Sequence, residues 1–327
     1  METEQQDQQD IVLNDEIIKN LKSAKIFKDH QKEINSMDFS SDGKKLVTCD
    51  DISLNLYDVE HGRKTKTLFL KSKEIECVKF THHNEAVLCA TKKDHQILYW
   101  SLHENQIIKQ FTGHTDSIVS LEINPVNDQF LTTSKDQSLR LWNLESKTPS
   151  CESKLDLSSK NSNFDSCGLI FAVAYQETIA GTSFSKVALY DLKNYDTGCF
   201  TDWKFECSEI KQIKFSNSGK YIVCACAENY IMVLDAYQGN EITTIKDFVN
   251  DNSILEVSFS PCSTYIVSGS ENGIVHIWKT ETGESVNQLK NQHFLKCQVV
   301  KFNPKFCILA TGCKNIILWI PNSYGEQ

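Results

Sequence analysis

A repeat is the feature that most restricts the fold of this chain. A short apolar strand ending in an aromatic or large residue recurs seven times, usually with a polar residue after it. The copies are Leu54-Asn-Leu-Tyr57-Asp58, Ile97-Leu-Tyr-Trp100-Ser101, Leu139-Arg-Leu-Trp142-Asn143, Val187-Ala-Leu-Tyr190-Asp191, Ile231-Met-Val-Leu234-Asp235, Val275-His-Ile-Trp278-Lys279 and Ile316-Ile-Leu-Trp319-Ile320. Their last residues are 43, 42, 48, 44, 44 and 41 positions apart. A period of about 40 to 45 residues is that of a four-stranded propeller blade. A second pattern keeps step with the first: an apolar-x-Phe segment, a polar turn, then another apolar run. It is seen at Met37-Asp-Phe39-Ser-Ser-Asp-Gly43, Val78-Lys-Phe80, Ile213-Lys-Phe215-Ser-Asn-Ser-Gly219, Val257-Ser-Phe259-Ser-Pro261 and Val300-Lys-Phe302-Asn-Pro304. Alternating apolar residues around such turns mark hairpin strands.

A ring of blades must close. Ala24-Lys-Ile26-Phe27 precedes the first repeat as a lone strand, and as the outer strand of the last blade it would leave no long unpaired edge at the junction. The expected fold is all-β, a seven-bladed propeller over residues 24–321 closed by an N-terminal strand. Deleting residues 1–30 is expected to unfold it, and deleting 1–10 to do little. Residues 1–23 read as a polar tail with a short amphipathic helix, apolar at positions 12, 13, 17, 18 and 21 and capped by Asn14. Residues 322–327 read as a C-terminal tail. Segment 145–166 holds seven serines and little apolar periodicity, so it reads as a mobile insertion entering the fourth blade.

Composition excludes several classes of function. Lys and Arg total 34 against 43 Asp and Glu, a net charge of −9, and basic runs stop at pairs such as Lys92-Lys93. Phosphate contacts drive nucleic-acid affinity, so direct nucleic-acid binding is not expected. The longest apolar runs are seven residues, far below the roughly 20 that span a bilayer. A soluble chain without membrane contact is the expectation. Residues 1–10 are polar and acidic, unlike a secretory signal, so the thirteen cysteines are expected to stay reduced. No Cys-x-x-Cys occurs, and Cys224-x-Cys226 alone does not make a zinc site. Nucleophile elbow, phosphate loop, dinucleotide fingerprint and zinc-protease helix are missing as well. The expectation is no enzyme, no cofactor and no metal. His82-His83 reads as a solvated turn pair, and Asp50-Asp51 as a source of local turn hydrogen bonds.

The repeats resemble the WD-repeat family over roughly residues 24 to 321. Blade three carries the fullest motif: Gly113-His114, Asp136 and Leu141-Trp142-Asn143. The resemblance implies a buried hydrogen-bond chain of His114, Ser134, Asp136 and Trp142, with Thr132 the other candidate for the hydroxyl. Blade one has His30 without a preceding Gly, and blade six has Trp278 but Asn272 at the turn and no Gly-His.

A finer likeness lies in Tyr99-Trp-Ser-Leu-His103, Ile108-Lys-Gln-Phe111-Thr-Gly-His114, Asn124-Pro-Val-Asn-Asp128, Gly168-Leu-Ile-Phe-Ala172, Asp235-Ala-Tyr-Gln-Gly239 and Phe302-Asn-Pro-Lys-Phe306. In order and spacing these resemble the WD-repeat subunit family shared by the COMPASS histone methyltransferase and transcription-termination assemblies. The resemblance implies a non-catalytic nuclear scaffold. It would dock a segment of the Set-domain methyltransferase beside its companion subunits and aid recruitment to the phosphorylated tail of transcribing RNA polymerase II. Methylation of histone H3 at its lysine 4 would be supported. A second implied assembly contains a protein phosphatase and its targeting subunit, or 3′-end processing factors. A ubiquitin-ligase substrate receptor is the other binding-module reading. Loops on a rigid scaffold commonly carry binding, so the partner rim is expected at Lys32, Lys73, Asp116, Ser117, Lys135 and Asn252.

Overall fold

The computed structural model describes residues 13–322 except 71–72, 147–150, 154–160, 180, 208, 228, 250–254, 291 and 294. These residues form seven four-stranded antiparallel sheets, each a blade of one closed propeller. The first blade shows the plan, with inner strand Ser36–Phe39, then Lys45–Cys49, Ser53–Asp58 and outer strand Arg63–Phe69. Second strands such as Ala86–Thr91 are buried along their whole length, because each sheet is covered on both faces by its neighbours. That is why they read as unbroken apolar runs instead of alternating ones.

Among the described residues there is no single central core. Seven apolar clusters lie between successive blades. One joins Val47, Leu54 and Leu56 of the first blade to Ile75, Val78 and Val87 of the second. Another joins Tyr265 and Ile277 of the sixth to Val300, Ile317 and Trp319 of the seventh. Stability is therefore spread around the ring, at about 25 cal/mol per Å² of apolar surface removed from water.

The seventh blade is shared between the chain ends. Its strands Val299–Phe302, Leu309–Gly312 and Ile316–Pro321 pair with Leu21–Phe27, running from Leu21 opposite Pro321 to Phe27 opposite Ile316. The closing strand starts three residues earlier than its apolar pattern suggests, because backbone pairing needs no apolar side chain on the solvent face. The helix is correspondingly shorter, Asp15–Lys19, with the Asn14 side chain accepting from the Ile17 N–H at 2.9 Å. Residues 1–12 lie outside the described residues. The helix packs on blade six: Ile18 is fully buried, Tyr265 donates its hydroxyl to Asp15 at 2.7 Å, and Asn287 donates to the Ile18 carbonyl at 2.7 Å.

Segment 145–166 is not one insertion. It contains the outer strand of blade three, Cys151–Ser153, and the inner strand of blade four, Asn161–Phe164. Serine and asparagine there obscure two ordinary strands; residues 147–150 and 154–160 lie outside the described set. The departure in blade four is instead a long hairpin, Ile170–Ile179 with Thr182–Asp191, paired without interruption from Ile170–Asp191 to Ile179–Thr182. It extends well beyond the four-residue inner strand.

Two glycines lock neighbouring blades. Gly43 has φ +71°, and a Cβ there would sit 2.3 Å from Asn303 Oδ1; Asn303 donates to the Gly43 carbonyl at 2.7 Å across the seventh and first blades. Asn124 and Gly168, with φ +66°, repeat this device between blades three and four at 2.8 Å. His82 ties the same region, its Nε2 donating to the Asn124 and Asn127 carbonyls at 3.1 and 3.0 Å. The expected solvated pair is thus an inter-blade contact at His82.

Candidate docking face and its buried supports

The loops entering the inner strands and the turns between second and third strands gather on one face. Under that face lie buried hydrogen-bond chains that fix the loops. In blade three His114 Nδ1 meets Asp136 Oδ2 at 2.8 Å, His114 Nε2 meets Thr132 Oγ1 at 2.7 Å, and Trp142 Nε1 donates to the same oxygen at 2.7 Å. One proton assignment satisfies every atom. Nδ1–H donates to the carboxylate, the Thr132 hydroxyl donates to Nε2, and the indole donates to Thr132. Ser134 is not a member. Its hydroxyl donates to the Asp116 carbonyl at 2.9 Å and accepts from the Asp136 N–H at 3.1 Å. The register decides this: residues two apart share a face, but with Phe130 paired to Trp142 the indole N–H reaches Thr132. Burial pushes the Asp136 carboxyl up, but the Ser138 hydroxyl, the Thr115 N–H and His114 outweigh it and hold it down to about 2.

Two more blades build the same chain with other residues. In blade one His30 contacts Asp50 at 3.0 Å and Thr48 at 2.7 Å, with Tyr57 in the place of tryptophan. Asp50 therefore serves this chain as well as capping its own turn. In blade seven His293 bonds Thr311 at 2.7 Å, Trp319 donates to Thr311 at 2.8 Å, and Cys313 Sγ at 3.1 Å from His293 Nδ1 stands where the carboxylate would be. Blade six departs further, its Trp278 donating to Asp247 at 3.0 Å.

With no carboxylate beside it, His293 is pushed down by burial to about 4. The unfolded chain therefore takes up a proton below about pH 6.5 that the folded one refuses until about pH 4, so this histidine stabilises the fold above that window and the contribution is lost on acidification through it. Replacing His293 with Gln is expected to flatten the pH dependence of unfolding free energy near pH 5 by about one proton. An unchanged slope in urea titrations at stepped pH would contradict this.

The face itself carries a charge network across the ring closure. Lys32 and Lys92 both reach Asp51, at 3.1 and 2.5 Å, and Asn35 donates to Asp51 at 2.9 Å. Burial pushes the Asp51 carboxyl up, but Lys92, Asn35 and Lys32 hold it down to about 2. Lys92 also reaches Glu76 at 3.4 Å, and Lys296 reaches Glu33 at 3.6 Å. Gln31, Lys32, Glu33, Asn35, Asp51 and Lys92 line a depression of about 470 Å³ together with Leu295 and Lys314. Leu295, 47% exposed, is the apolar residue of that lining.

Only Lys32 of the expected rim residues lines this depression. Lys73 lies on the same face in blade two, 3.3 Å from Asp94 and donating to Gln96 at 2.8 Å. Asp116, Ser117 and Lys135 surround the blade-three chain: Asp116 and Lys135 are exposed, and the Lys135 N–H donates to the Ser117 carbonyl at 2.9 Å. Asn252 lies outside the described residues. Asp51, Lys92 and Lys314 were not among the expected rim residues, because a turn acid and scattered surface lysines carry no docking pattern of their own.

The axis holds a second array. Lys79, Glu122, Asn163, Lys214, Ser258 and Lys301, from six successive inner strands, line one cavity of about 220 Å³. Three ion pairs join neighbouring blades around the axis: Lys79–Glu122 at 3.0 Å, Lys214–Glu256 at 2.6 Å and Lys301–Asp38 at 2.7 Å. Burial pushes the Asp38 carboxyl up, yet Lys301 and Lys79 keep it below the usual range. Burial pushes Lys214 down, and Lys301 and Lys79 add to this beyond what Glu256 restores. Paired charges brace the inner strands. Among the described residues no cluster could hold a metal, and no helix is long and apolar enough to cross a membrane.

Residues 72–260 match the family described as Nucleolar protein 10-like, N-terminal domain, and residues 21–58 match the WD domain, G-beta repeat. WD repeat-containing protein 82 of Drosophila melanogaster is 39% identical, over 96% of this chain and 98% of its own. The Set1 complex component swd2 of Schizosaccharomyces pombe is 27% identical, over 88% and 92%. The COMPASS component SWD2 of Saccharomyces cerevisiae is 26% identical, over 91% and 95%.

Proposed function

The chain belongs to the WD-repeat propellers, in the family of WD repeat-containing protein 82, and on that premise we propose that it is a non-catalytic subunit of a Set1/COMPASS-type histone H3 lysine-4 methyltransferase. In this role it docks a short extended segment of the Set-domain subunit, works in the nucleus beside the companion subunits, and aids recruitment to transcribing RNA polymerase II. The observation that carries the reading is end-to-end similarity to two proteins named as Set1 and COMPASS components. The site gives it a mechanism. A preformed depression lined by exposed Leu295 together with Lys32, Lys92 and Lys314 suits an extended segment bearing apolar and acidic side chains. Because buried chains already hold the surrounding loops, little ordering entropy is lost on binding.

Affinity purification of the tagged protein from its own cells, followed by mass spectrometry after a moderate-salt wash, tests this. Recovery of a Set-domain methyltransferase with its companions is expected. Phosphatase or 3′-end processing subunits alone would move the role to termination, and ubiquitin-ligase adaptors alone would overturn it. For the depression, the Lys32→Glu, Lys314→Glu double variant is expected to slow association with the captured methyltransferase about tenfold at low salt, less as salt rises. Its thermal midpoint should hold, because an exposed pair such as Lys32–Asp51 adds at most about 1 kcal/mol. An unchanged association rate would place docking elsewhere.

A further inference from the structure

We propose that the long hairpin of blade four is a docking arm, whose edge toward the axis takes the partner segment as an added β-strand. Such docking presupposes the role proposed above, in which an extended segment of a Set-domain subunit is bound, and gives that segment its place. In the six other blades the second strand stops opposite the first residue of the inner strand, as at Ser36–Cys49 and Ile75–Thr91. In blade four that pairing is Asn161–Ala174, yet the second strand runs on to Ile179. Residues 175–179 therefore stand beyond the inner strand, a ribbon of about 17 Å at roughly 3.4 Å per residue. It rises on the docking face, where the turns between second and third strands gather.

The edge of this ribbon toward the axis is open. Ile170 turns both backbone groups to the inner-strand side: its N–H donates to Asp165 Oδ1 and its carbonyl accepts from the Asp165 N–H, each at 3.0 Å. Backbone direction alternates along a strand, and pairing with the third strand is unbroken, so Ala174, Gln176 and Thr178 face the same way. Ala174 meets the inner strand at Asn161, but Gln176 and Thr178 meet no strand among the described residues. Their N–H and C=O groups form a short row of free donors and acceptors. The opposite edge is guarded. There the outer strand continues to Phe205, opposite Ser185. Glu177 reaches across to Lys204 at 3.0 Å, and Lys186 pairs with Asp202. Charges of this kind discourage strand addition.

The free row dictates the conformation of its occupant. Main-chain bonds to Gln176 and Thr178 require an extended strand, because only that geometry repeats donors and acceptors at the same spacing. Side chains of the added strand alternate between the two faces of the ribbon. Those on one face lie beside Tyr175, which packs against the cluster between blades three and four and carries Lys186 Nζ at 5.6 Å from its ring centre. A β-branched or aromatic residue suits that position, since such cross-strand pairs with an aromatic ring are favourable. The ribbon is already formed, so only the incoming segment loses ordering entropy.

Gln176→Pro with Thr178→Pro removes both free N–H groups and sets two rings against the edge. Bonds to the third strand come from the alternate residues and are kept. Ser183→Pro is the matched control: Leu189 accepts from the Phe200 N–H on the outer side, and Ser183, six residues earlier, faces the same way. Both variants disturb the Thr178–Ser183 hydroxyl contact at 3.2 Å, so that contact cannot explain a difference. Each tagged full-length protein is expressed in its own cells and the recovered methyltransferase is quantified. Recovery is expected to fall about tenfold in the double variant and to hold in Ser183→Pro. Hydrogen exchange at residues 176 and 178 of the unsubstituted protein is expected to slow in the complex, a result that decides the matter if the double variant melts early. Undiminished recovery by a folded double variant, an equal fall in Ser183→Pro, or unchanged exchange would overturn the proposal. So would a dimer of the unsubstituted protein that the double variant abolishes, since a second copy would then be the occupant. If the unsubstituted protein recovers no methyltransferase, the functional reading falls and this one with it; the other adverse outcomes leave that reading standing.

Discussion

Removal of residues 1–27 is expected to leave a chain that no longer forms a closed ring, while removal of residues 1–10 is expected to leave the thermal midpoint where it was. The longer cut deletes the strand paired with Ile316–Pro321 and so opens a full sheet edge, the state most prone to edge-to-edge association. It also strips Ile18 and Leu21 from the cluster between blades six and seven, and Phe27 from that between seven and one. Buried side chains of this size cost about 2–5 kcal/mol each when truncated in a packed core. Three such losses rival the whole stability of an ordinary domain, about 5–15 kcal/mol. The cut stops before His30 so that the chain to Thr48 and Asp50 survives. Thermal melting with size-exclusion chromatography reads the outcome. If both truncations melt alike as monomers, the strand does not hold the ring together.

The second large effect belongs to Thr132. Thr132→Val keeps the shape but removes the one oxygen that serves both His114 and Trp142. His114 Nε2 and the indole N–H are then buried without partners, at about 1–3 kcal/mol each. A loss of roughly 2–6 kcal/mol is therefore expected, seen as a lower urea midpoint with an unchanged slope. Ser134→Ala should cost less, about 0.5–1.5 kcal/mol for each of its two bonds, because those bonds shape the turn and serve no buried ring. Equal midpoints for the two variants would return Ser134 to the chain.

That substitution also shows where reading by pattern stopped. Thr132 and Ser134 sit two apart in one strand and satisfy the same motif; only the register, Thr132 opposite Arg140 and Phe130 opposite Trp142, puts one of them against the indole. His293 escaped notice for a related reason. Its partner Cys313 replaces an acid, so no Asp marked the turn. The axial charges were in view as the middle residues of Met37-Asp38-Phe39, Val78-Lys79-Phe80, Ile213-Lys214-Phe215 and Val300-Lys301-Phe302, but nothing along the chain says that Lys301 meets Asp38.

Blade number and strand order were legible in the sequence because apolar period and hairpin turns recur within every repeat, short-range properties set by pleat and burial within about 45 residues. Closure was legible because a lone strand precedes the first repeat and the last blade lacks its outer one. The Asp51–Lys92 rim, the axial ion pairs and the Asn303–Gly43 lock were decided only by tertiary structure. Each depends on how far one blade is turned and pressed against another, and the packing between blades fixes that angle.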